Sequence, residues 1–340
     1  TAMGMIELKQ LLFDGTYVVG VQGIKHFLDI ANNVQEKTQL EIQRIIVDAY
    51  LGAIAAQANV TVLDENINTL SKNVEEVHQL FRSGFGEEES VEQLQLTLTS
   101  LNNQLDYAKN MAELSHSVVK LLLGIPLDNP LELTDQLEGL VLKSLNMEEE
   151  DPGYANNIDL RIAENQITTE EIFYRLEKAK GLPSLTAFFN GAYMGNNDRF
   201  GFTDKDQKWF GSAAFGVRVK IPIFSSFGRT ASAQKAKITL EQAKTAFDEA
   251  RSKVYYEYEQ AKNNYRLAIK KHINTKDQLN LAERIEKKNK IKFFEGLATS
   301  FELRQAQIQL FSIQQSYIQS MQAVVVQKTA LDIIINNNPQ

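Results

Sequence analysis

The chain contains no cysteine in its 340 residues, which excludes a disulfide framework and thiolate metal chemistry. Proline is scarce: Pro126, Pro130, Pro152, Pro183, Pro222 and Pro339 are the whole set. An interior proline destabilises a helix by roughly 3 kcal/mol. The proline-free blocks 1–125 and 223–338 are therefore free to hold very long helices. Aromatic residues make up only 9%. No run of about 18 apolar residues occurs, so no transmembrane helix is predicted and a membrane crossing would have to use strands. Basic residues are not gathered into a face or stripe, and the net charge is -7, which argues against a nucleic-acid partner. The opening Thr1-Ala2-Met3-Gly4-Met5 lacks the basic and apolar regions of a signal peptide, and a processed or truncated N-terminus is expected.

Catalytic groupings are missing too. His26, His78, His116 and His272 are scattered, with no HExxH spacing and no cysteine beside them, so no metal site is predicted. Ser232-Ala233-Gln234-Lys235 fits S-x-x-K but lacks the companion motifs and lies in a helical stretch. Gly84-Phe85-Gly86 is too short for a phosphate or dinucleotide loop. No cofactor and no enzymatic activity are expected.

What the chain does have is 43% apolar residues, enough for a substantial core, and the Ala, Gln, Asn, Glu, Lys and Leu mix of long helices. Glycine punctuates them. Gly296, in Phe293-Phe294-Glu295-Gly296-Leu297-Ala298-Thr299-Ser300, predicts a helical hairpin turn, and Arg82-Ser83-Gly84-Phe85-Gly86 predicts a second. On the last helix Leu303, Ala306, Leu310, Ile313, Tyr317, Ser320, Val324, Gln327 and Leu331 step by alternating threes and fours, a seam of the coiled-coil kind. Its partner arm carries Leu240, Ala243, Phe247, Ala250, Val254, Tyr258, Ala261, Tyr265 and Ala268. If helical throughout, the arm from Phe224 to Glu295 would be about 100 Å long.

Strand signals have period two. From Ala213 to Ile223, Ala213, Phe215, Val217, Val219, Ile221 and Ile223 share one face, and Ala214, Gly216, Arg218 and Lys220 the other. Gly4, Ile6, Leu8 and Leu12 repeat that phase, opposite Glu7 and Lys9. A further strand is predicted from Ser184 to Met194, separated from Ala213 by a solvated loop containing Asn196, Asn197, Asp198, Arg199, Asp204, Lys205 and Asp206. Laying Ile223-Phe224 on Leu12-Phe13 also puts Val219 on Leu8, Val217 on Ile6 and Lys220 on Lys9. Gly296 then falls within one position of Gly84, and Ser300-Phe301-Glu302 within one of Ser90-Val91-Glu92. A unit of strand, long helix, glycine turn and returning helix is thus duplicated.

The predicted organisation is a first repeat over 1–125, with a strand at 4–13 and a helical hairpin at 14–123 turning near 84–90. An equatorial or linker region follows at 126–183, with a helix near 158–180. A β-hairpin at 184–223 carries the loop 195–211, and a second helical hairpin at 224–338 turns near 296–300.

With these elements in order, the chain resembles the TolC family of outer-membrane efflux proteins. The similar stretches are Lys9-Gln10-Leu11-Leu12-Phe13-Asp14-Gly15, Gly181-Leu182-Pro183-Ser184-Leu185, Ile221-Pro222-Ile223-Phe224 and the glycine turn followed by Ser300 to Leu310. The resemblance implies a mainly α protein with membrane β: a homotrimer whose coiled-coil hairpins form an α-barrel and whose strands join a shared twelve-stranded transmembrane β-barrel. It implies a location in the bacterial outer membrane, extending into the periplasm. It also implies a passive channel in a tripartite efflux (including multidrug efflux) or type I secretion system, with a periplasmic adaptor, an inner-membrane pump and outer-membrane lipid as partners. The family's first strand and first helix have no counterpart here, so an N-terminally incomplete sequence is expected. The competing reading is a soluble coiled-coil scaffold.

Within that frame Glu7, Lys9, Arg218 and Lys220 are the pore-lining candidates, because the alternate strand face must meet lipid. Arg82, Ser83, Gly84 and Phe85, with Glu295, Gly296, Leu297 and Ala298, correspond to tips where an adaptor docks. Glu87, Glu88 and Glu89 are candidates for an acidic periplasmic constriction; acids at a helix start also suit the helix dipole.

Overall fold

The computed structural model describes residues 1–145, 153–198 and 200–336. Residues 146–152 of the predicted linker, Pro152 among them, Arg199 of the predicted loop, and residues 337 and 338 of the predicted second hairpin lie outside them. In chain order the elements are β1 (Ala2–Asp14), α1 (Gly15–Arg82), α2 (Glu88–Leu123), α3 (Leu137–Leu145), α4 (Ile158–Ala179), β2 (Ser184–Gly195), β3 (Trp209–Lys220), α5 (Gly228–Phe294) and α6 (Ser300–Ile334). The architecture is mainly α with one small sheet.

Local chemistry sets the helix ends. The Asp14 carboxylate accepts from the backbone N–H of Thr16 at 2.8 Å and of Tyr17 at 3.2 Å, occupying donors that the first turn of α1 leaves unpaired. α2 stops at Gly124, whose φ of 68° no β-carbon favours, and Pro126 follows. α6 starts with a capping box, in which Thr299 and Glu302 each satisfy the other's backbone N–H.

The chain forms two compact units: Thr1–Glu36 with Ile158–Ser252, and Lys37–Asn157 with Lys253–Gln340. In the first, the sheet has order β1-β2-β3, antiparallel throughout. There α4 lies against the start of α1 through polar contacts. Arg161 reaches both Glu36 carboxylate oxygens at 2.8 and 2.9 Å and Asn33 Oδ1 at 2.7 Å. His26 Nε2 lies 3.1 Å from Asn165 O and 3.0 Å from Thr169 Oγ1.

The second unit holds the apolar core. One cluster gathers Leu51, Ile54 and Ala55 of α1, Val141 of α3, Tyr258 and Tyr265 of α5, and Met321, Val324 and Leu331 of α6. The other packs Leu63, Leu70 and Val77 of α1 against Leu94, Leu101 and Leu105 of α2. Each fully buried leucine contributes about 1.5–3 kcal/mol relative to exposure. Seam positions Leu303, Ala306, Ser320, Val324 and Leu331 are buried, as are Val254, Tyr258, Ala261, Tyr265 and Ala268. The polar seam member Ser320 lies 3.2 Å from His272 Nδ1 and donates to Tyr317 O at 2.7 Å.

Three details depart from the sequence pattern. Between Leu11 and Phe13 the β1–β2 register shifts, so Phe13 and not Leu12 pairs with Leu185. A bulge of this kind adds a residue to one strand and reverses the alternation beyond it. β3 runs from Trp209 to Lys220, leaving Ile221 to Ile223 outside the ladder; Pro222 has no N–H to donate and restricts the residue before it. Finally, α1 contains a stretch long and apolar enough to cross a membrane by length and composition alone. Leu51, Ile54 and Ala55 of that helix are instead part of the core.

Candidate functional site

Cross-strand register sorts the sheet into two faces, because directly paired residues share a side. On one face lie Ile6, Leu8 with Phe189 and Phe215, Val217 with Ala187, and Phe13 with Leu185 and Val219. These side chains are not core: Ile6 is 67%, Leu8 63% and Phe215 85% exposed. Gln10, paired with Ala187, is the one polar side chain named by the register on this face; a largely apolar face left open to its surroundings over the length of a sheet is a surface shaped for hydrocarbon rather than water. At its loop end Tyr193 stacks on Trp209.

Glu7, Lys9, Arg218 and Lys220 all lie on the opposite face. Glu7 pairs through Asn190 to Ala214, Lys9 through Phe188 to Gly216, Leu11 through Thr186 to Arg218, and Asp14 through Ser184 to Lys220. Glu7 and Lys9 form an ion pair at 2.7 Å, and the Arg218 guanidinium sits 5.3 Å from the centre of the Phe188 ring. Phe188 and Asn190 belong to this face and were not singled out from sequence. The alternation starting at Ser184 carried the signal.

Both helical turns are built the same way. Gly84 has φ 78° and Gly296 φ 72°. Phe85 N–H donates to Leu80 O at 3.0 Å and Gly84 N–H to Phe81 O at 3.0 Å; Leu297 N–H donates to Lys292 O at 2.7 Å and Gly296 N–H to Phe293 O at 3.0 Å. This is the paired closure of a Schellman motif, whose left-handed residue glycine adopts without penalty. Each turn then presents an apolar residue outward, Phe85 at 85% and Leu297 at 73% exposure. The structure brings the turns together: Ser300 Oγ donates to Gln93 Oε1 at 3.3 Å, and Phe293 and Phe294 pack against the α1–α2 core. Arg82, Ser83 and Glu295 are exposed beside them and Ala298 is half-buried. Glu87, Glu88 and Glu89 are exposed at the start of α2; Glu89 accepts from Gln93 at 2.9 Å.

Among the described residues no three His, Cys, Asp or Glu side chains gather as a metal site. His272 is buried and stacked on Tyr317, with ring centroids 5.3 Å apart. Burial, followed by the charge of Lys276, holds its pKa below the ordinary histidine value.

The chain thus contains long helical hairpins and an antiparallel sheet with one largely apolar face and one that carries Glu7, Lys9, Arg218 and Lys220 beside Met3, Met5 and Phe210. Comparison with solved structures agrees on the fold. The outer membrane protein VceC of Vibrio cholerae superimposes with a TM-score of 0.74 at 16% identity, over 98% of this chain and 86% of that one. The Campylobacter jejuni CmeC outer membrane channel gives 0.71 at 12% identity, over 99% and 77%. The open state of the Neisseria gonorrhoeae MtrE outer membrane channel gives 0.72 at 14%, over 98% and 79%. No curated protein sequence matches significantly. The family model described as outer membrane efflux protein matches residues 154–337.

The chain belongs to the outer membrane efflux protein family. Its place is the outer membrane, extending into the periplasm, and its class is a transport channel.

Proposed function

We propose that three copies of this chain form a passive conduit, the outer-membrane component of a tripartite efflux or type I secretion machine, with a periplasmic adaptor and an inner-membrane pump as partners. The observation that carries this reading is the sheet. Among the described strands β1 and β3 each have a neighbour on one side only, while the apolar face is open. In hydrocarbon every unpaired backbone group costs several kcal/mol, so such a sheet must be completed by further strands. Closing a barrel with strands of neighbouring copies supplies them.

Glu7, Lys9, Arg218 and Lys220 then line the lumen and tune permeation. The tips around Gly84 and Gly296 present Phe85 and Leu297 to the adaptor. Glu87, Glu88 and Glu89, repeated about a three-fold axis, form an acidic ring at the periplasmic end. Detergent-extracted protein is expected to run as a trimer and to open ion-conducting pores in planar bilayers. A water-soluble monomer without conductance, the behaviour of a coiled-coil scaffold, would overturn the proposal.

A further inference from the structure

Three of the chain's six methionines sit together in the sheet: Met3 and Met5 belong to β1 and Met194 to β2. The ladders pair Met3 with Met194 and Met194 with Phe210, and they pair Met5 with Ala192 and Ser212. Directly opposed residues of an antiparallel pair have Cα atoms about 4.5–5.5 Å apart. Met5 lies two residues along β1, about 7 Å from Met3 on the same face. It is diagonal to Met194 at about 7–8 Å, a separation that long side chains bridge. All three methionines are exposed.

Their choice of face is what distinguishes them from apolar filler. The opposite face takes its apolar surface from Ile6, Leu8, Phe189, Phe215, Val217 and Val219 and holds no methionine. The thioethers instead share the face of Glu7 and Lys9, at the end that leads into the β2–β3 loop. The chain has no cysteine, and its four histidines lie in helices. Within the strands the nearest acid, Glu7, is held by Lys9 at 2.7 Å. Uncharged, polarisable sulfur is thus the prominent donor at this place.

We infer that Met3, Met5 and Met194 form a thioether site for a soft monovalent cation, Cu(I) or Ag(I). Thioethers suit such ions, whereas Ca(II) and Mg(II) take oxygen ligands and Zn(II) takes thiolate, imidazole or carboxylate. A thioether has no proton to lose, so binding here is independent of pH, unlike binding by imidazole, thiol or carboxylate. Neutral ligands also leave the ion's charge in place, which suits a site that an ion enters and leaves. On the channel reading, on which this step rests, the ion is cargo and the site stands at the outer mouth of the conduit. The site itself does not rest on that reading.

The test is titration of the full chain in detergent with silver nitrate, a redox-stable stand-in for Cu(I), read by calorimetry and by the methyl resonances of isotope-labelled methionine. One Ag(I) per chain should bind and move three of the six methionine signals. Affinity should be equal at pH 5 and pH 7 and should survive excess Zn(II). Met3→Leu, Met5→Leu and Met194→Leu should each weaken binding by at least about tenfold, the lower end of what losing even an outer-shell partner costs. Leucine conserves volume, and the parent's own methyl signals decide the matter if a variant fails to fold. Met111→Leu, in α2, should bind like the parent. Absence of saturable binding, unchanged affinity in the three variants, or affinity lost on acidification would overturn the site. In planar bilayers Ag(I) should lower the conductance of the parent and not of Met194→Leu. Binding without that block would remove the site from the conduit. Ag(I) binding by a protein that never conducts would keep the site and count against the channel reading.

Discussion

Tyr193 of β2 and Trp209 of β3 stack with ring centroids 5.8 Å apart and planes 9° from parallel. They lie on the apolar face, at the end of the sheet that leads into the β2–β3 loop. Amphipathic rings at the end of a lipid-facing surface favour the headgroup level. Trp209 is the only tryptophan in the chain, so its emission reports this place alone. In reconstituted protein, lipids brominated near the headgroup should quench it more than lipids brominated at the chain terminus. The reverse order would displace the membrane boundary from this end of the sheet.

The two sheet faces predict opposite outcomes for neighbouring substitutions. Val217→Lys puts a charge on the apolar face and should destabilise the inserted protein by about 2–4 kcal/mol near the bilayer midplane. Ala214→Lys adds the same charge to the face of Glu7 and Arg218 and should assemble normally. Folding yield into vesicles separates the two.

Lys328 and Asp332 form an ion pair at 3.0 Å with side chains only 7% and 8% exposed, and Lys328 lies 5.7 Å from the centre of the Tyr265 ring. Lys328→Met leaves a buried carboxylate without its cation and should cost about 3–5 kcal/mol. Adding Asp332→Leu should restore most of it. Thermal unfolding of the three variants measures both effects.

His272 predicts a pH dependence. Its folded pKa lies below the unfolded value of 6.5 because burial and Lys276 disfavour the imidazolium. The neutral ring is thus the form that fits the fold, and its stabilising contribution is complete above the unfolded pKa. As the pH falls below that value the unfolded chain takes up the proton first, and stability drops. His272→Gln should flatten that part of the stability profile measured between pH 5 and 7.

At the tips, Gly84→Ala and Gly296→Ala should each cost about 1–2 kcal/mol through left-handed backbone strain. A β-carbon meets nothing within 4 Å at either position, so crowding adds nothing, and asparagine should be milder than alanine. Differential scanning calorimetry distinguishes the series.

How much of this was legible beforehand depended on how local each signal is. Ala213, Phe215, Val217 and Val219 announced a strand because an apolar face imposes strict alternation, and Gly84 and Gly296 announced turns because few other residues accept their φ. Leu12 was misplaced because a bulge is one uncounted residue, known only from the partner strand. The first residues of β3, Trp209 to Gly211, fall in the predicted loop 195–211 because Gly211 and Ser212 blur the alternation. The polar contacts of Arg161 and His26 with α1 could not be read at all, since pairing between distant segments leaves no periodic trace. Asn66 lies in the same helix period as its buried neighbours, yet nothing in that spacing says that its amide meets Gln314.

The open edges of β1 and β3 also bear on genetics. A chain damaged in the second unit's core fails by itself and leaves its neighbours free to find sound partners. On the proposed trimer, a chain that folds its helices but offers a spoiled edge, for instance through proline in the middle of β3, would enter a ring and prevent it from closing. Damage to a sheet edge should therefore be dominant over the wild-type allele, and damage to the core recessive.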